Sequence, residues 1–136
     1  MSGVVVIRAL ATAHAALTTL VPSARIVSGA LPRDVTLPAI SLARISGSDL
    51  NIPAPGASRF VKDRIQATVH AQNYPQGLAV MKELRRACAD KRPDMSQEGL
   101  TGVSVHTDGT GPDFINEEAS IHLSSQDFMV NYNEVR

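Results

Sequence analysis

The chain has 136 residues, is 43% hydrophobic but only 4% aromatic, contains no Trp, and balances 13 Lys and Arg against 13 Asp and Glu, a formal net charge of zero. A single domain of this size buries roughly two-thirds of the surface its unfolded chain exposes, so it needs neither disulfides nor a structural metal to fold. The charge balance argues against a general nucleic-acid or membrane-surface binder, which carries a basic excess, and it leaves little repulsion between copies of the chain.

Cys88 is the one cysteine, so no internal disulfide and no cysteine-type metal spacing exists, in keeping with a reducing cytoplasm. The apolar run Val4–Ile7 is cut by Arg8, and Met1-Ser2-Gly3 lacks the basic start of a signal peptide. No stretch approaches the roughly 20 apolar residues of a membrane span, so no membrane partner is expected.

In chain order, Val4 to Val21 reads as a helix. Ile7, Leu10, His14, Leu17 and Val21 recur at helical spacing among alanines, and Pro22 stops the run. His14 on that stripe reads as a core-edge residue with a satisfied ring nitrogen rather than a ligand. A short strand, Arg25–Ser28, is followed by an irregular connection that ends at Pro38. Residues 38–45 form a second strand, with Pro at its first position. Gly47 to Ser58, containing Pro53, Pro55 and Gly56, is predicted as a long protruding loop.

Arg59 to Gln72 is the clearest strand. Val61, Ile65, Ala67, Val69 and Ala71 face one way, with Asp63 the exception, while Phe60, Lys62, Arg64, Gln66, Thr68 and His70 face the other. A second helix begins at Asn73 or Tyr74, with Pro75 near its first position. Leu78, Met81, Leu84 and Cys88 form its apolar stripe, Lys91 and Arg92 sit near its end, and Pro93 closes it. Leu100–Thr107 is a strand with Val103 and Val105 facing alike. The turn cluster Asp108–Asp113 and the segment Phe114–Glu118 follow. The last strand runs from about Ala119 to Tyr132, and its apolar residues change parity, which predicts a bulge or turn near Ser124-Ser125. The order α-β-β-β-α-β-β specifies an α+β fold, a mainly antiparallel sheet with two helices on one face, as a single domain over 1–136.

Chemistry is sparse. No G-x-S-x-G, P-loop, G-x-G-x-x-G or H-E-x-x-H is present, so no catalytic residue, cofactor or metal ligand is assigned and no enzyme is expected. His70, His106 and His122 lie in predicted strands and would hold zinc only if one sheet face gathered them. Asp108, Asp113, Glu117 and Glu118 do not match a calcium loop and read as a solvated turn. Arg44, Arg59, Lys62 and Arg64 cluster around the long loop, suited to DNA phosphates if they lined a pore or to carboxylates of a neighbouring subunit. With Asn51, Pro53, Pro55 and Phe60 they are the candidate subunit-interface or lumen residues.

Several pieces in order resemble the phage tail-completion family, related in fold to tail terminators and head–tail joining proteins. They are Arg25-Ile26-Val27 after the first helix, the Pro-flanked Leu37-Pro38-Ala39-Ile40-Ser41-Leu42, and the strand ending near Arg44-Ile45-Ser46-Gly47. The long strand Arg64-Ile65-Gln66-Ala67-Thr68-Val69-His70-Ala71 running into Tyr74, and the closing Asp127-Phe128-Met129-Val130-Asn131-Tyr132, complete the set. The chain departs from the family in having Asn131 where a Trp is often found, and in its Pro- and Gly-rich Asn51–Gly56 loop.

The resemblance implies a structural virion protein of tail or neck, assembled in the host cytoplasm. It implies a hexameric ring that caps the tail tube and docks to the head connector. The implied partners are other copies of the chain, the major tail tube protein, the connector or stopper protein, and genomic DNA in transit. Two alternatives belong to other classes: a head-side stopper or adaptor whose loops close the channel, and a small α+β enzyme or ligand-binding module, which needs a concave pocket with converging polar groups.

Overall fold

The alternation of residues 58–71 organises the molecule. In a computed structural model, which describes residues 2–54, 56–117 and 120–135, this segment is the strand at the centre of a six-stranded sheet. The elements are α1 (Ser2–Ala13), α2 (Ala15–Leu20), β1 (Ile26–Ser28), β2 (Ala39–Leu50), β3 (Ser58–Ala71), α3 (Tyr74–Cys88), β4 (Leu100–Thr110), β5 (Phe114–Asn116) and β6 (Ile121–Val135). The sheet order is β1-β2-β3-β6-β4, with β5 continuing the β4 side of β6. β1 runs parallel to β2, and every other pairing is antiparallel.

One face of the sheet meets the helices. Ile40 and Leu42 of β2, Val61, Ile65, Ala67 and Val69 of β3, and Phe128, Val130 and Tyr132 of β6 lie side by side across the register. They close against Val6, Ile7 and Ala11 of α1, Leu17 of α2, and Val80, Leu84, Ala87 and Cys88 of α3. Each fully buried aliphatic or aromatic side chain here stabilises the fold by about 1.5–3 kcal/mol. The second face, carrying Lys62, Arg64, Gln66, Thr68 and His70 with Ser125, Met129 and Asn131 beside them, has no helix over it. The α+β class read from the sequence is therefore the architecture found.

Several local readings need correction. The first helix is not continuous: His14 has extended backbone angles, φ −88° and ψ 108°, and caps a separate α2. The break redirects the chain so that Leu17 and Val21 reach the core, while the imidazole Nε2 sits 3.1 Å from a Glu83 carboxylate oxygen. On α3, Asn73 is the N-cap, its side chain accepting from Gln76 N–H at 2.9 Å. The buried stripe of α3 is rotated towards Gly77, Val80, Leu84, Ala87 and Cys88, which leaves Leu78 exposed. β2 continues to Leu50, through residues first read as loop, because Ser46–Leu50 pair with Phe60–Arg64 although neither face is covered. β6 runs unbroken past Ser124-Ser125. The extra residues sit on β4, between Thr101 and Ser104 and between Thr107 and Thr110, and one sits on β2 at Ile45. The expected strand start at Ala119, the acidic Glu118 and the loop residue Pro55 lie outside the described residues.

Asp63, the polar exception on the buried side of β3, is fully enclosed. Its Oδ2 accepts the Gly3 N–H at 3.1 Å and the Tyr132 hydroxyl at 2.8 Å. The carboxylate thus meets the first turn of α1, where unpaired N–H groups and the positive end of the helix dipole favour an anion. Gly3 is required there by contact: a Cβ on it would lie 2.8 Å from the Asp63 Cβ and 3.1 Å from the Ile65 Cδ1.

Candidate functional site

The β2–β3 hairpin extends beyond the helix layer. From Ala43 to Leu50 every β2 residue is exposed, and β1 covers the outer edge of β2 only at Ile40–Leu42. Ile45, Leu50 and Ile52 place large apolar side chains in solvent on this projection, Leu50 at 60% and Ile52 at 52% exposure. Asn51 and Pro53 lie at its exposed tip. Phe60 is half-buried and, with Leu50 and Lys62, lines a shallow groove on the hairpin.

The four basic residues do not form one cluster. Arg64 donates from Nε (2.9 Å) and Nη2 (2.6 Å) to Oδ2 of Asp127, with Asp108 at 3.4 Å. The hydrogen bond and charge of Asp127 hold the guanidinium still more firmly protonated than usual. Two carboxylates around one guanidinium leave that spot without a net positive charge, so Arg64 is a poor phosphate contact. Arg59 lies on the helix-facing side with Asp49 at 3.8 Å and Glu134 at 4.0 Å. Among the described residues, Arg44 and Lys62 form no ion pair. Both are exposed, Arg44 beside Val4, Val5 and Gly29 at the β2 edge and Lys62 on the uncovered face. The hairpin therefore combines apolar side chains with two unneutralised cations.

At the opposite end of the sheet is a surface the sequence reading passed over. Tyr74, Leu78, Phe114 and Ile115 are all exposed, Phe114 at 61% and Ile115 at 59%, around a shallow depression floored by His122 and Leu123. Tyr74 donates its hydroxyl to Asp113 at 2.9 Å, and that hydrogen bond raises its pKa. Glu117 is exposed next to the strand end. A signal was present in the sequence: Phe114 and Ile115 are adjacent, and adjacent residues of a strand face opposite sides. A strand at the edge of a one-sided layer cannot bury both.

The histidines do not converge. His70 and His106 share the uncovered face, but His106 lies in the row of Arg64, six residues along β3 from His70, about 20 Å away at ~3.3 Å per residue. His70 pairs with the Ser41 hydroxyl at 3.1 Å, and burial lowers its pKa. His106 pairs with Asp90 at 3.0 Å, and His122 points to the other face. Among the described residues, no group of three or more His, Cys, Asp or Glu is arranged to hold a metal ion. Among the described residues, no helix is long and apolar enough to cross a membrane.

Residues 5–124 match the family model described as Tail completion protein gp17. A comparison with curated proteins found no match. The fold is similar to that of a chain in the solved virion of a native gene transfer agent (GTA) particle. The two superpose with a TM-score of 0.73 at 14% identity, over 97% of this chain and 96% of that one, a likeness of fold.

Proposed function

This chain belongs to the tail completion protein gp17 family, and on that premise we propose that it forms a ring, hexameric by resemblance, that terminates a phage-type tail tube and joins it to the head connector. The observation that carries this reading is the one-sided layering. Helices cover one face of the sheet, while the other face and a hairpin with an open strand edge are left to solvent. Unsatisfied strand edges and apolar side chains invite another chain, and a zero net charge offers little long-range repulsion to oppose it. The ring subunit is a structural part of the virion, in contact with its own copies, the tail tube protein and the connector. Genomic DNA passes through the ring in transit, and Arg64 is not its phosphate contact, because Asp127 and Asp108 already hold that guanidinium. Arg44, Lys62, Asn51 and Pro53 are the candidate contact residues that remain available.

The test is electron microscopy of particles assembled without this protein and after its restoration. Tails of uncontrolled length, or finished tails unattached to heads, are expected in its absence. Normal tail length and normal joining without it would refute the reading. If the hairpin is then seen closing the channel, the protein is a head-side stopper rather than a terminator.

A further inference from the structure

Strand register decides what the uncovered face of the sheet presents. Ser41, Thr68 and Ser125 lie abreast in one row, and Ser48, Lys62 and Asn131 in another nearer the hairpin tip. Between the rows the one large apolar side chain is Met129, half-buried, and no Phe or Tyr stands there among the described residues. Arg64 is held by Asp127 and Asp108, and His106 pairs with Asp90. Among the described residues, Lys62 is therefore the one Lys or Arg of this stretch without an ion pair.

That composition argues against two roles. The core of a protein–protein contact is rich in aromatic residues and poor in Ser and Lys, whereas hydroxyls and amides dominate here. A phosphate-binding surface needs several free cations, because each phosphate neutralised adds affinity through counterion release, and this face offers one. The helix side contrasts with it. Lys82, Arg85 and Arg86 are all exposed along the outer side of α3, and among the described residues only Arg86 has an ion pair, with Glu83 at 3.2 Å. Turned towards a channel, that side would hold phosphates. In a closed ring any such contact is repeated by every copy, so one free cation per subunit becomes a circle of them.

We propose that the uncovered sheet face is the inner wall of the ring: the hydroxyl- and amide-rich strands look into the channel, the helices look outward, and duplex DNA slides past a wet, weakly charged surface. The pairing of Arg64 with two carboxylates then has a use in transit, since it removes a guanidinium that would otherwise hold the passing backbone. The inference rests on the ring reading above and adds which face turns inward.

The test uses the single buried cysteine as a silent background. Cys88 is enclosed and Ser46 is exposed on this face beside Arg64, so Ser46→Cys in the full chain supplies the one accessible thiol. DNA-free tails carrying the variant are treated with N-ethylmaleimide, or with a maleimide on a polyethylene glycol chain wider than duplex DNA, and labelling is read by mass. The free subunit is expected to take up both reagents. In tails the small reagent is expected to label fully and the wide one several-fold less. Protection from both reagents puts the face in a subunit contact, and equal labelling by both puts it on the outside of the tail. Either result overturns the inference and leaves the ring reading intact. Purified tails that lack the wild-type protein refute the ring reading itself.

Discussion

Replacing Asp63 removes a carboxylate that ties three elements together: β3, the first turn of α1 through Gly3 N–H, and β6 through the Tyr132 hydroxyl. Two opposing effects set the outcome. Burying a carboxylate costs several kcal/mol, and Asp63→Ala relieves that cost. The same change deletes a charge-assisted hydrogen bond worth about 1.5–3 kcal/mol and takes the Asp63 acceptor from the buried Tyr132 hydroxyl, a loss of about 1–3 kcal/mol. It also removes an anion from a helix N-terminus, worth up to ~2 kcal/mol when partly buried. Truncating one member of a buried charged network removes the acceptor that its donors share, so the losses dominate, and Asp63→Ala is expected to destabilise by about 2–4 kcal/mol. For 136 residues this corresponds to a fall in Tm of roughly 8–15 °C. Asp63→Asn keeps one acceptor and loses about half as much, and Tyr132→Phe loses about 1 kcal/mol. Urea unfolding and calorimetry on the three variants, with the Asp63→Ala/Tyr132→Phe double variant, measure the coupling directly. An Asp63→Ala protein as stable as wild type, or a more stable Asp63→Leu, would show that carboxylate burial outweighs its hydrogen bonds and would refute this reasoning.

Gly3→Ala places a methyl against Asp63 and Ile65. It should cost about 1–3 kcal/mol by overpacking, read as a lower urea midpoint, whereas Ala9→Gly on the exposed side of α1 costs no more than ~1 kcal/mol. The Cys88 thiol is fully buried and its pKa is pushed up to about 12 by that burial. A thiol reagent at neutral pH should therefore modify the folded protein only at the rate of its unfolding, and rapid stoichiometric labelling would contradict the packing of α3. The hydrogen bond from His14 holds the Glu83 carboxyl below its usual pKa. Its contribution to stability is therefore present above the ordinary carboxylate range and is lost as pH falls through that range towards the lowered value. Glu83→Gln should flatten that part of the acid limb in pH-dependent thermal melts.

Where apolar residues repeat at the period of their element, the sequence alone was sufficient. The alternation of Val61, Ile65, Ala67 and Val69 fixed both the course and the buried side of β3. Asn73-Tyr74-Pro75 marked the start of α3, and the order of helices and strands determined the α+β class. The family resemblance rested on that same ordered set. Tertiary structure decided what has no local period. Ser46–Leu50 are strand because β3 supplies backbone partners, not because one face is apolar. His14 interrupts a helical stripe because Glu83 and the core lie to one side, and Leu78 is exposed because α3 is rotated on the sheet. The basic cluster dissolved for the same reason: Asp127 and Asp108, Asp49 and Glu134, distant or unremarkable in the sequence, are brought by strand pairing to Arg64 and Arg59. Local pattern records what a residue needs, burial or solvent. Which charge neutralises which, and which apolar residues are left over for another molecule, depends on neighbours that only strand register and helix packing bring together.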